Sequence, residues 1–252
     1  MRALVRPTSS RLFEGELTHI DRQEVDIELA REQWRSYVGQ LAAHGFEIIE
    51  VPLAEDCPDS VFIEDTVVVF GDLAVVTRPG ADSRKPETDA VREIVSELGM
   101  AMAEIAAPGT LDGGDVLKIG STVYVGRGGR TNAEGIRQLR ALLSPRGWRV
   151  VAVPMTKALH LKTAVTALPD GTVIGWEPFV DEPRLFERFL PIPEPEGAAV
   201  VVLDDTTVLM SSSAPRTAEL IRDLGYEVVT TPVSEFEKLE GCVTCLSVRI
   251  RG

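Results

Sequence analysis

The sequence is poor in thiols, imidazoles and aromatic rings: three cysteines, three histidines and 6% aromatic residues in 252 positions. Sparse cysteines in odd number fit reduced thiols better than a disulfide framework. Basic residues are the minority, 26 Lys and Arg against 39 Asp and Glu, for a net charge of -13. Such a surface repels polyphosphate, so neither nucleic acid nor an anionic membrane is an expected partner, whereas a cationic small molecule is. No apolar run approaches the roughly 18 residues of a membrane span, and the start, Met1-Arg2-Ala3-Leu4-Val5-Arg6-Pro7, lacks a signal-peptide core. A cytoplasmic location is expected. What is there is 44% hydrophobic residues, enough to bury a substantial core.

Against this background a few polar places stand out. Two of the cysteines sit in Gly241-Cys242-Val243-Thr244-Cys245, next to Glu240. One thiol, given a histidine and an orienting carboxylate, suffices for covalent catalysis, and His160 is the candidate partner. Acids crowd Cys57-Pro58-Asp59-Ser60-Val61-Phe62-Ile63-Glu64-Asp65-Thr66, where burial beside Val and Phe would require a cation. Paired glycines flanked by acids form Leu111-Asp112-Gly113-Gly114-Asp115-Val116, a pattern that ordinary turns also use. His160 opens Leu161-Lys162-Thr163 ahead of an apolar strand, a position that a structural histidine would also fit. Cys242 and Cys245 also form a C-x-x-C, but a redox dithiol is expected at a helix start, and here the chain runs on as Leu246-Ser247-Val248-Arg249-Ile250. A zinc site from Cys57, Cys242, Cys245 and His160 has suitable ligand types without the usual paired spacing.

A degenerate unit recurs along the chain: strand, tight turn, strand, loop, amphipathic helix, strand. The hairpins are Val67 to Val76, Val116 to Val125, Ala164 to Ile174 and Val200 to Met210, each turning at Gly or Asp. Helices are predicted over Glu24 to Ala43, Glu87 to Leu98, Asn132 to Leu143, Pro183 to Leu190 and Thr217 to Leu224. Pairing of Ala3-Leu4-Val5 with Thr244 to Ile250 would close a ring of about five units; the competing arrangement is an open two-layer α/β sandwich. No linker divides the chain, so residues 1–252 are read as one α/β domain.

Taken in order, the segments Pro58 to Asp65, Thr77 to Arg84, Leu111 to Val116, Gly129 to Asn132, His160 to Lys162 and Gly241 to Cys245 resemble the dimethylarginine dimethylaminohydrolase family of the guanidino-group-modifying (pentein) superfamily. The resemblance spans essentially the whole chain. It implies a five-bladed α/β propeller with the active site on its central axis. By the same resemblance Cys245 is the nucleophile, His160 the general acid and base, and Asp112 the carboxylate orienting the imidazole. Asp59, Glu64 and Asp65 look like the acids that hold a planar guanidinium, and Arg84 and Arg130 like the clamp on the substrate carboxylate. Leu17 falls in a mobile lid and Leu239 at a backbone contact near the nucleophile. Glu240 stands where family members carry the shorter Asp, which could displace its contact. No metal or organic cofactor is implied.

The activity so implied is hydrolysis of Nω-methylated arginines to citrulline and methylamines. Within the superfamily, arginine deiminase and amidinotransferase are alternatives, although both carry longer chains. A non-catalytic arginine-binding protein on the same fold is a further one, disfavoured by the presence of both Cys245 and His160. Cys242 reads as a small apolar filler or a resolving thiol, His19 as a lid residue and His44 as the end of the first helix. An exposed propeller side is compatible with a homodimer.

Overall fold

Short runs of Val, Ile and Ala punctuated by glycine turns favour many brief strands over a few long ones. The computed structural model, which describes residues 1–251, contains five three-stranded sheets. The first joins β15 (Val248–Ile250), β1 (Arg2–Val5) and β2 (Glu47–Glu50). The others follow in chain order: β3 (Val67–Phe70), β4 (Leu73–Val76) and β5 (Ala101–Glu104); β6 (Val116–Ile119), β7 (Thr122–Arg127) and β8 (Arg149–Pro154); β9 (Val165–Ala167), β10 (Val173–Gly175) and β11 (Phe189–Pro191); β12 (Val200–Val202), β13 (Thr207–Ser211) and β14 (Glu227–Thr231).

Every sheet has the same pattern. An inner strand pairs antiparallel with the middle one, and the middle strand pairs parallel with the outer one, as in Val67↔Val76 and Val76↔Glu104. A parallel pair needs a crossover, and four are helical: α1 (Ile27–Ala43), α2 (Thr88–Glu97), α3 (Ala133–Leu143) and α5 (Pro215–Asp223). Asp26 caps α1 by accepting from the Leu29 amide, and Asn132 caps α3 by accepting from the Gly135 amide. Two one-turn helices, α4 (Leu161–Ala164) and α6 (Ser234–Glu237), lie outside this scheme.

The ring is closed. Strand β15 pairs antiparallel with β1, Arg2 opposite Ile250 and Leu4 opposite Val248, so both chain ends share one blade. The inner strands β3, β6, β9, β12 and β15 all line one axial cavity of about 410 Å³, the geometry of a five-bladed propeller. Apolar clusters fill the spaces around it; the largest joins Leu12, Tyr37, Leu41, Phe236 and Leu246.

Two expectations are corrected. The helix read over Pro183 to Leu190 is only a 3-10 turn at Pro183–Leu185, after which Phe189–Pro191 pairs as β11. Its apolar residues pack as a group instead, Phe186 against Tyr124 and Phe189 at 5.1 and 6.3 Å between ring centroids, and the prolines that follow deny a helix its backbone donors. The closing strand begins at Val248 rather than Thr244, because Val243 to Leu246 form a turn.

Strand β1 is paired on both sides, so a proline there must break a ladder bond. Ala3→Pro should lower unfolding free energy by about 3 kcal/mol or more, read from urea denaturation. A wild-type midpoint would mean that ring closure contributes nothing to stability.

Candidate active site

The repeat explains why distant motifs converge. A short turn precedes each inner strand: the 3-10 turn Ile63–Thr66 before β3, Gly113–Asp115 before β6, and α4 before β9 with His160 at its N-cap position. The Val243 to Leu246 turn precedes β15. At this end of the axis lies a cavity of about 20 Å³ lined by Asp59, Asp65, Arg84, Arg130, His160, Leu239, Glu240 and Cys245, together with Glu16. The larger axial cavity contains neither His160 nor Cys245.

Asp112 is fully buried; its Oδ1 accepts from the Gly80 amide at 2.8 Å and its Oδ2 lies 2.9 Å from His160 Nε2. On the other side of the ring, Nδ1 is 3.9 Å from Asp65 Oδ1. The Asp-Gly-Gly-Asp motif permits this closeness. A Cβ on Gly114 would stand 2.7 Å from His160 Nδ1, and one on Gly113 only 1.9 Å from the Glu64 carbonyl oxygen. Burial alone would lower the His160 pKa, but the charge of Asp65, the bond to Asp112 and the charge of Asp115 outweigh it and raise it to about 9. Asp65 is pushed up by burial but held down to about 2 by His160, by Arg84 at 2.7 Å and by the Gly114 amide at 2.7 Å.

The thiols of Cys242 and Cys245 are 3.3 Å apart. Donation to Cys242, then burial, then the carboxylates of Glu64 and Asp65 push the Cys245 thiol well above the ordinary range. The shared bond lowers Cys242 in turn. Among the described residues, the one group of three potential metal ligands with close donor atoms is Asp65, Asp112 and His160, with no cysteine in it.

Some expected residues are placed differently from the rest. Glu64 does not line the small cavity. It faces the larger one, where its Oε1 binds Lys162 at 2.6 Å and Arg249 at 3.3 Å, and its buried Oε2 has no partner among the described residues. Arg84 lines the small cavity but is largely committed, to Glu87 through Nε and Nη2 at 3.0 and 2.9 Å and to Asp65 through Nη1. Arg130 is freer, with one ion pair to Glu16 at 3.2 Å. Leu17 packs against the apolar cluster beside the cavity without lining it. Glu240 takes a left-handed backbone, φ 58°, and its carboxylate accepts from the Thr18 and His19 amides at 2.5 and 3.1 Å.

Three contributors escaped the sequence reading. Asp115 accepts from the Leu161 amide at 2.9 Å and from Thr131 at 2.6 Å, and Thr131 accepts from the Asp112 amide at 3.1 Å. This network fixes His160 from behind. Its signal was the second acid of Asp-Gly-Gly-Asp. Glu16 had none, since only the fold brings it to Arg130.

The profile of the arginine deiminase family matches residues 43–200. The chain is 63% identical over 250 residues to the N(G),N(G)-dimethylarginine dimethylaminohydrolase of Streptomyces coelicolor, covering 99% of this chain and 97% of that one. The chain belongs to the dimethylarginine dimethylaminohydrolase family. The Pseudomonas aeruginosa dimethylarginine dimethylaminohydrolase is 37% identical over 250 residues, 98% of each chain. A solved structure of it, a cysteine-to-serine mutant complexed with citrulline, matches with a TM-score of 0.92 at 36% identity and covers 99% and 98% of the two chains. A histidine-to-glycine form of a dimethylarginine dimethylaminohydrolase, as an adduct with S-methyl-L-thiocitrulline, also gives 0.92, at 35% identity and 99% coverage of both. Among the described residues of this family member, no helix is long and apolar enough to cross a membrane.

The His160 pKa in the fold lies above its ordinary 6.5. Its charge therefore contributes stability that is complete below pH 6.5 and lost as pH rises through about 9. Wild type should lose more stability than His160→Gln across that window in denaturant titrations. Equal losses would show that the imidazole carries no extra proton.

Proposed function

We propose that the chain hydrolyses Nω-methylated L-arginines, asymmetric dimethylarginine and monomethylarginine, to L-citrulline and dimethylamine or methylamine. The observation that carries this is a buried cavity where Asp59 and Asp65 stand beside the His160–Asp112 pair and Cys245, in a chain 63% identical to a dimethylarginine dimethylaminohydrolase. A guanidinium carbon is a poor electrophile and needs a thiolate. Cys245 is protonated in the resting protein, since its thiol is pushed up. The arriving guanidinium, beside Asp59 and Asp65, supplies the cation that stabilises the thiolate, so the thiol gives up its proton to solvent as substrate binds.

The Cys245 thiolate then attacks the guanidinium carbon. His160, charged at neutral pH with its pKa about 9, gives a proton to the departing amine as the C–N bond breaks, leaving an S-alkylthiouronium. We assign the transfer to Nδ1, because Nε2 is bound to Asp112. The neutral imidazole next takes a proton from water as the hydroxide adds to the same carbon; the adduct then collapses, its hydroxyl proton passing to the departing sulfur, which releases citrulline and returns the Cys245 thiol. Asp112 holds the ring and stabilises its cation. Arg130 clamps the substrate carboxylate, and Arg84 keeps Asp65 ionised and placed.

A cavity of about 20 Å³ admits little more than a water, so entry requires displacement of the lid around Glu16 to His19. That segment is held by Glu240, by the Glu16 amide donating to Asp59 at 3.0 Å, and by Glu16 on Arg130. The Glu16 carboxylate thus occupies the clamp that the substrate carboxylate needs.

Citrulline production from asymmetric dimethylarginine, monomethylarginine and arginine tests this reading. Cys245→Ser should fall by about 10⁴-fold or more while Cys242→Ser keeps activity of the same order. Activity surviving Cys245→Ser would sink the mechanism, and preference for arginine would place the chain with the deiminases. Freeing the clamp, Glu16→Gln should lower KM for asymmetric dimethylarginine by about two- to fivefold with kcat little changed, the scale of one half-exposed ion pair. An unchanged or higher KM would show that Glu16 does not compete.

A further inference from the structure

The larger axial cavity carries a charge imbalance that the reaction does not use. Its wall holds Lys118, Lys162 and Arg249, contributed by β6, α4 and β15. Among the described residues one carboxylate, Glu64, answers them, and it is shared by Lys162 and Arg249 through a single oxygen. Lys118 has no acidic partner there: its Nζ donates to the Val69 carbonyl at 2.7 Å and sits 5.4 Å from the Phe70 ring centroid. A further cation, Arg251, stands at the rim in the field of Asp204 and Asp205. The remainder of the lining is largely apolar strand, a surround that strengthens every charge inside it. Burial, then the neighbouring cations Lys162, Arg249 and Arg251, pull the Lys118 pKa down to about 7. Desolvation by the surrounding strands is the main cause, and the neighbouring cations add to it.

Three cations around one carboxylate, in a molecule whose net charge is -13, make this cavity a place where an entering negative charge is stabilised and would hold the proton on Lys118. The surface at large repels anions, which leaves this cavity as the favourable place for one. Its volume of about 410 Å³ is in the range of small-molecule sites, and Lys118 is part of its lining. We propose that this cavity binds a small oxyanion of charge -2 or more, bearing phosphate or carboxylate groups, held by Lys118, Lys162 and Arg249. It is separate from the cationic pair Arg84 and Arg130 at the opposite end of the axis. Glu64 forms the partition, its side chain in this cavity and its amide donating to the Cys245 carbonyl at 3.1 Å.

The test is calorimetric titration of the whole protein with inorganic phosphate and with citrate, at ionic strength held constant with chloride. Saturable binding of either anion is expected, the tighter of the two naming the acid group the site prefers. Lys118→Met, which keeps the apolar stem over Phe70, should weaken binding about tenfold or more, and Lys118→Arg should restore it. Should Lys118→Met fail to fold, Ile119→Glu puts a repelling carboxylate on the same wall without touching the three cations, and should weaken binding likewise. Arg130→Ala should leave the affinity unchanged. No saturable binding of either anion, undiminished binding in the folded variants, or loss of binding in Arg130→Ala would overturn the proposal.

Discussion

Everything at the His160 end of the axis depends on keeping four carboxylates out of water. Asp59, Asp65, Asp112 and Asp115 are all buried, where an uncompensated charge would cost several kcal/mol or more. Two buried cations answer them directly, Arg84 and His160. The rest of the compensation comes from backbone amides: Gly80 to Asp112, Gly114 to Asp65, Leu161 to Asp115 and Glu16 to Asp59. Asp59 has the fewest hydrogen-bond partners of the four. Burial pushes its pKa up, and the amide it relies on belongs to the lid. A cationic guanidinium beside Asp59 would compensate a buried acid that otherwise holds that one lid amide.

The same constraint dictates the backbone. Amides can reach buried acids only if chain segments approach closely, so Gly113 and Gly114 lie where any Cβ would collide with Glu64 or His160. Each acid or base sits on the turn before an inner strand, and the repeat turns those turns toward one point. The position of Cys245 follows from the last pairing to form in chain order. Its turn is anchored on one side by β15 against β1 and on the other by its carbonyl on Glu64.

Much of this was legible in the sequence because it is carried by local pattern. Alternating Val with a Gly or Asp turn marks a hairpin whatever its surroundings, and a strand without a nearby partner at each end of the chain points to closure. Asp112, His160 and Cys245 were conspicuous because acids, imidazoles and thiols are rare among apolar strands. What stayed hidden depends on direction and competition. Glu64 and Asp65 are adjacent on one 3-10 turn, so nothing in their order tells which cavity each faces. Arg84 reads as a substrate clamp until Glu87, one turn along, is seen to take two of its nitrogens. The segment after Pro183 has helical spacing, yet its phenylalanines gain more by packing on Tyr124.

The split between Glu64 and Asp65 gives the axis two ends of opposite sign, and this bears on the thiol. Lysine or arginine close to a cysteine lowers its pKa and leaves a standing thiolate, open to oxidants and stray electrophiles. Here Lys118, Lys162 and Arg249 lie in the far cavity, with the Glu64 side chain taking the charge of two of them. Cys245 instead feels Glu64, Asp65 and its bond to Cys242, all of which keep its proton on. His160 is cationic, but its charge is spent on Asp65 and Asp112 at 3.9 and 2.9 Å. On the proposed mechanism Cys245 is therefore activated only when a new cation arrives among the acids. A guanidinium is both the electrophile and the charge that releases the thiolate to attack it, so one binding event selects the substrate and switches on the chemistry.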